Sequence, residues 1–220
     1  MLNKRKASII EYFRRAEPAL KRIKMFSLRK ILQALYYLQK NSNNPDKYSR
    51  MYLLKLLYFA DRYHIRHFGI LGSGDTYKAM QRGPVAYYTY NNMKGNARGV
   101  NSAEFILLND IQELDENSVS IVNQGCDELS ESYIEALDFA LNTYGGFSHY
   151  ELSEITHDYP EWQNKKQNED MNLKDFFENP QELFYSKKYG INKDPFTEDE
   201  DFLQAMKDDF DEAPIQYCSY

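Results

Sequence analysis

The chain has 220 residues with 27 Lys/Arg against 33 Asp/Glu, a formal net charge of −6, and is 42% hydrophobic and 27% charged. These proportions exclude collagenous, mucin-like and wholly disordered proteins, and a chain of this length buries roughly 70% of its unfolded surface, enough for a true core. No run approaches the ~18 apolar residues of a membrane span, and the basic start MLNKRKASIIEYFRR lacks the apolar stretch and cleavage site of a signal peptide, so the expected location is the cytoplasm.

Two cysteines, Cys126 and Cys218, are too few for a disulfide framework and form no CxxC knuckle. Charge is segregated: residues 1–30 hold ten Lys/Arg against two Glu, whereas residues 191–220 hold two Lys against nine Asp/Glu. Nineteen Tyr and 13 Phe accompany a single Trp, and tyrosine combines a large apolar body with a hydroxyl that tolerates exposure. Three regions follow: a basic amphipathic extension (1–26), a main domain (27–190) and an acidic tail (191–220).

In the extension, Ile9, Phe13, Ala16, Leu20 and Ile23 recur at helical spacing between Lys and Arg, with Pro18 as a kink. An accessory helix, a partner- or nucleic-acid-binding arm and a membrane-surface helix all fit this pattern. Ser27 is placed to cap a helix bearing Leu28, Ile31, Leu32, Leu35 and Leu38. From Ser49 a longer core helix runs to Gly69, which suits the residue after a helix end.

Between Gly72 and Gly83 the stretch DTYKAMQ reads as short and extended, and Pro84 as the first residue of a helix closing at Gly95. EFILL (104–108) and SVSIV (118–122) predict a strand pair. Ser130 caps the next helix, ended by Gly145-Gly146; Ser148 and Glu151 form a capping box; Pro160 opens a further short helix; and NLKDFFENPQELFYSKK supplies one or two helical pieces. The tail, with Phe202, Leu203, Met206 and Phe210 at loose helical spacing, is either free or a docked amphipathic helix. The expected fold class is mainly α (α+β), a compact helical domain with a small antiparallel β hairpin or sheet.

Enzyme chemistry finds little support. The chain has no phosphate loop, nucleophile elbow, HExxH or EF-hand pattern. His64 and His67, at i, i+3, lack a third metal ligand in phase, so no metal and no cofactor is expected. His157 reads foremost as a ring that bonds the backbone and closes a turn, and Cys126 beside Asp127 lacks a thiolate-stabilising cation.

Three blocks in order, KLLYFADRYHIRHFG (55–69), GDTYKAMQRGPV (74–85) and LSEITHDYPEW (152–162), resemble the Panacea domain, the SocA-like antitoxin family also described from phage-associated GepA proteins. Lys55, Tyr58, Asp61, Tyr77, Arg82, Gly83, Pro84, Leu152, His157 and Trp162 carry the resemblance, which covers roughly residues 27–190. It implies a mostly helical fold and a bacterial or phage antitoxin that neutralises a co-encoded toxin by binding it. Alternatives are an adaptor delivering the toxin to a AAA+ protease and, from another class, a DNA-binding regulator using the basic N-terminus; no recognition helix is identifiable, so nucleic acid is not an expected partner.

For the partner-binding surface the residues singled out are Asp75, Tyr77, Arg82, Tyr87 and Tyr88 at the GDTYKAMQRGPV corner, and Phe202 and Phe210 as aromatic anchors in an acidic tail suited to a cationic toxin site. Gly83 and Pro84 are read as setting a turn, Lys55 and Asp61 as making a polar bond or ion pair at the core helix, and Trp162 as filling the core.

Overall fold

Side-chain caps start four of the helices in the computed structural model, which describes residues 26–122 and 124–212 of the chain. Ser27 caps α1 (Leu28–Asn41), Ser49 caps α2 (Arg50–Phe68), Ser130 caps α4 (Glu131–Tyr144), and Ser148 with Glu151 closes a capping box on α5 (His149–Ile155). Each hydroxyl accepts an orphan N–H of the first turn. Gly69 ends α2 at φ 68°, left-handed backbone that glycine adopts without strain.

The element between α2 and α4 differs from its expected form. DTYKAMQ contains β1 (Tyr77–Met80), but Pro84 lies inside β2 (Gly83–Ala86), antiparallel to β1 with Met80 opposite Gly83, and α3 (Tyr87–Asn92) begins only after it. Gly83, at φ 91°, makes this tight reversal, and a proline is tolerated because β2 has only one strand neighbour. EFILL is likewise not a strand. Phe105–Asp110 forms a 3₁₀ turn, and the second ribbon pairs β3 (Ile111–Glu113) with β4 (Val119–Ile121). Consecutive apolar residues there fit a turn whose Leu107 and Leu108 reach the core while Phe105 and Ile106 face water.

Two short helices, α6 (Pro160–Gln163) and α7 (Phe184–Lys188), follow with a 3₁₀ turn over Leu173–Phe177 between them, and α8 (Glu200–Glu212) closes the described chain. The fold is mainly α with two small antiparallel ribbons.

The core surrounds α2, whose Leu53, Leu56, Leu57, Tyr58 and Phe59 are fully buried among α1, α4 and α5. Phe59 stacks on Tyr144 at 3.8 Å, and Phe196 packs against both. The C-terminal region is therefore no detached tail. Phe196 is fully buried, and Phe202, Leu203 and Met206 turn the apolar side of α8 onto the core, while Asp201, Asp208 and Asp209 face solvent. The boundary expected at residue 191 runs between segments that share one core. The amphipathic pattern of residues 1–25 lies outside the described residues, as does Cys218.

Candidate functional site

A single helix supplies most of the buried charge. On α2, Lys55, Asp61, Arg62 and Arg66 are all buried, and each reaches later segments of the chain. Asp61 accepts hydrogen bonds from the Ser73 N–H (2.8 Å) and hydroxyl, from Tyr77 (2.7 Å) and from Tyr133 (3.1 Å), which ties α2 to the approach to β1 and to α4. Burial nevertheless raises its pKa against these donors. Arg62 pairs with Glu161 through both carboxylate oxygens at 2.5 and 2.6 Å, and Tyr58 donates to the same carboxylate. Burial opposes the Arg62 charge most strongly, but Glu161 together with Tyr58, Asp194 and Tyr159 outweighs it, so the guanidinium pKa is raised.

Lys55 and Asp61 each make the expected polar bonds at the core helix, but not with each other. The Lys55 Nζ donates to the Pro84 carbonyl at 2.7 Å, and desolvation pulls the ammonium down to about 7. Gly83 lies directly against this amine and the Thr156 hydroxyl, so no Cβ fits there. The β1–β2 turn is thus seated by its backbone: the Ser153 hydroxyl donates to the Arg82 carbonyl at 2.7 Å and the Trp162 Nε1 donates to the Met80 carbonyl at 2.9 Å.

Asp75 and Tyr77, read from the sequence as partner-binding, are both buried. Asp75 accepts from the Thr76 and Tyr88 N–H groups and from the Thr89 N–H and hydroxyl, capping α3 from across the ribbon; burial pushes its carboxyl up to about 6. The Tyr77 hydroxyl is held by Asp61. Phe202 is buried, which takes its ring away from any partner, and the half-buried Phe210 packs on Phe177 at 5.8 Å. The aromatic stripe of an amphipathic helix faces the core, which the acidic composition around it obscured.

Tyr87 and Tyr88 are half-buried, Tyr87 beneath the Lys78 ammonium at 5.1 Å and Tyr88 against Phe26 at 5.4 Å. Trp162 packs against the core from its edge, half-buried, with its ring stacked 3.9 Å from that of His157. The His157 ring makes no turn-closing bond. Its Nε2 is buried without a hydrogen-bond partner, and its own carbonyl accepts from Gln163. Burial, with Lys55 adding to it, lowers the His157 pKa to about 4, so the stacked ring is neutral. His64 contacts Ile70 and Ser132, His67 contacts Tyr63 and Glu198, and no group of three metal-ligating side chains occurs among the described residues.

These contacts assemble a surface the sequence showed only in part. Arg82 is exposed at the β1–β2 turn; next to that ribbon stand Trp162 and His157; Tyr185 meets His157 edge-on at 5.8 Å; and Phe184, 65% exposed, meets Tyr185 at 5.0 Å. Asp158 fixes the start of α7 beneath them by accepting from the Tyr185 and Ser186 N–H groups at 2.9 and 2.6 Å. Phe184 and Tyr185 read in sequence only as part of a last helical piece. The one available signal was an aromatic pair just ahead of Lys187 and Lys188.

A family model described as "Antitoxin SocA-like, Panacea domain" matches residues 53–163, half of the chain. The chain belongs to the SocA-like Panacea family. Every residue that carried the resemblance lies inside the matched span, which is narrower than the 27–190 expected. No curated protein and no solved structure matches the chain. In this Panacea domain the residues that carried the resemblance divide into two sets. Lys55, Tyr58, Asp61, Tyr77, Gly83, Pro84 and Leu152 are buried framework, and Arg82, His157 and Trp162 reach the surface above it. Among the described residues, no helix is long and apolar enough to cross a membrane.

Proposed function

We propose that this Panacea-domain protein is a cytoplasmic antitoxin of a bacterial or phage-borne pair that neutralises its co-encoded toxin by covering it, with no covalent bond made or broken. The face used is the run Arg82, Trp162, His157, Tyr185 and Phe184. The observation that carries this reading is that, of the residues that bear the family resemblance, Arg82, His157 and Trp162 reach the exterior together on a buried framework, beside the exposed Phe184. Trp, Tyr and Arg dominate the energetics of protein interfaces, because they present large, stiff contact areas and a planar donor fork. The non-enzymatic part is supported by the interior chemistry: both oxygens of Asp61, Asp158 and Glu161 are engaged by internal donors, and His157 is a stacked neutral ring.

The test is neutralisation of the toxin encoded by the adjacent gene. Arg82→Glu and Phe184→Asp alter exposed side chains, so their unfolding transitions stay at the wild-type temperature while toxin binding and rescue of growth are lost. Wild-type rescue by both folded variants would move the interface elsewhere.

A further inference from the structure

From Gly99 to Asn164 the chain contains 14 Asp/Glu and no Lys or Arg. Within this stretch, the 3₁₀ turn Phe105–Asp110 and the β3–β4 arm leave Phe105, Ile106 and Leu114 at 59%, 69% and 55% exposure. Glu113, Asp115 and Glu116 are exposed on the arm, and Glu104 and Asp110 bracket the turn. Exposed aromatic and aliphatic side chains in an acidic setting fit a cationic occupant with apolar anchors.

The chain carries a segment of that composition itself. Phe26 is buried, and the Leu28 N–H donates to the Glu104 Oε1 at 2.7 Å, so the described part of the chain starts at the turn that carries Phe105 and Ile106. Residues 4–24 hold eight Lys/Arg against two Glu, with Ile9, Phe13, Ala16, Leu20 and Ile23 at helical spacing. We propose that this segment of the same chain docks on the Phe105–Ile106 face, with its apolar stripe on those side chains and its cations toward the surrounding carboxylates. A short tether makes the docking intramolecular, at an effective concentration on the order of millimolar, so weak contacts suffice.

The test uses the full chain without any toxin, so its outcome is separate from that of the antitoxin reading. A photoreactive benzoylphenylalanine replaces Ile106, which is exposed and carries no core contact, and cross-linked peptides are mapped after irradiation of the dilute protein. Cross-links within one chain to residues 4–24, lost in Phe13→Asp/Leu20→Asp and weakened by salt, are the expected result. Cross-links confined to residues 26–220, cross-links joining two copies, or in-chain cross-links that survive the double substitution each overturn the proposal.

Discussion

Arg62 and Glu161 form an ion pair at 2.5 Å in which neither side chain has any exposure to solvent. The pair joins the middle of α2 to α6, and the Arg62 guanidinium also lies 4.3 Å over the Tyr159 ring. Water cannot compensate either charge, so removing one partner strands the other. Glu161→Ala is expected to cost about 3–5 kcal/mol, whereas Arg62→Met/Glu161→Met, which removes both charges, costs less than that single change. Urea unfolding of the three proteins checks the order; a double variant weaker than Glu161→Ala contradicts it.

Lys55 gives the fold a pH signature. Its ammonium is held down to about 7 by burial, against an ordinary value of 10.5. Between these values the unfolded chain binds the proton and the folded chain does not, so stability rises as pH increases from about 7 to 10.5, and the full penalty is present below 7. In Lys55→Met that rise disappears. Thermal unfolding of both proteins from pH 7 to 10 measures it, and parallel profiles would show that the amine does not titrate in this window.

Gly83→Ala meets two separate obstacles. Its Cβ would overlap the Thr156 hydroxyl, and φ 91° disfavours any side chain. A loss of more than about 2 kcal/mol is expected. Adding Thr156→Ala relieves that overlap but leaves the Lys55 amine against the new Cβ and the backbone strain, so recovery is partial. Complete recovery in the double variant, read by chemical denaturation, would mean that strain contributes nothing.

Phe196 carries the C-terminal region into the core. It is fully buried between Phe59, Tyr144 and Tyr159, so Phe196→Ala is expected to cost about 3–5 kcal/mol. Phe210→Ala, at a half-buried ring on α8, costs clearly less. Calorimetric unfolding of the two variants makes the comparison, and equal losses would place the two rings in equivalent environments.

Much of the helical order was legible because its signals are local. Ser27, Ser49, Ser130 and Ser148 each accept from a backbone N–H three residues ahead, a distance visible in any short window. The errors came where a local pattern fits two structures. EFILL has strand composition, yet its neighbours in space turn it into a 3₁₀ segment, and the strand starts at Ile111. Pro84 suits a helix start as well as a ribbon with an open edge. The candidate face was legible at Arg82, His157 and Trp162 through the family blocks alone. Asp75 was misread because an acid among glycines looks like an exposed turn, whereas its acceptors serve N–H groups 13 and 14 residues further on. Arg62 and Glu161 are 99 residues apart, and nothing in one sequence pairs them.

Arg66 extends that separation furthest. Its guanidinium donates to the carbonyls of Phe176, Glu178 and Phe196 and to the Asn179 side chain, acceptors 110 to 130 residues downstream. During synthesis, then, α2 leaves the ribosome bearing charges whose counterparts have not yet been translated. The domain has no complete interior until Phe196 has emerged, and any chain that stops earlier presents an open, protease-accessible helix.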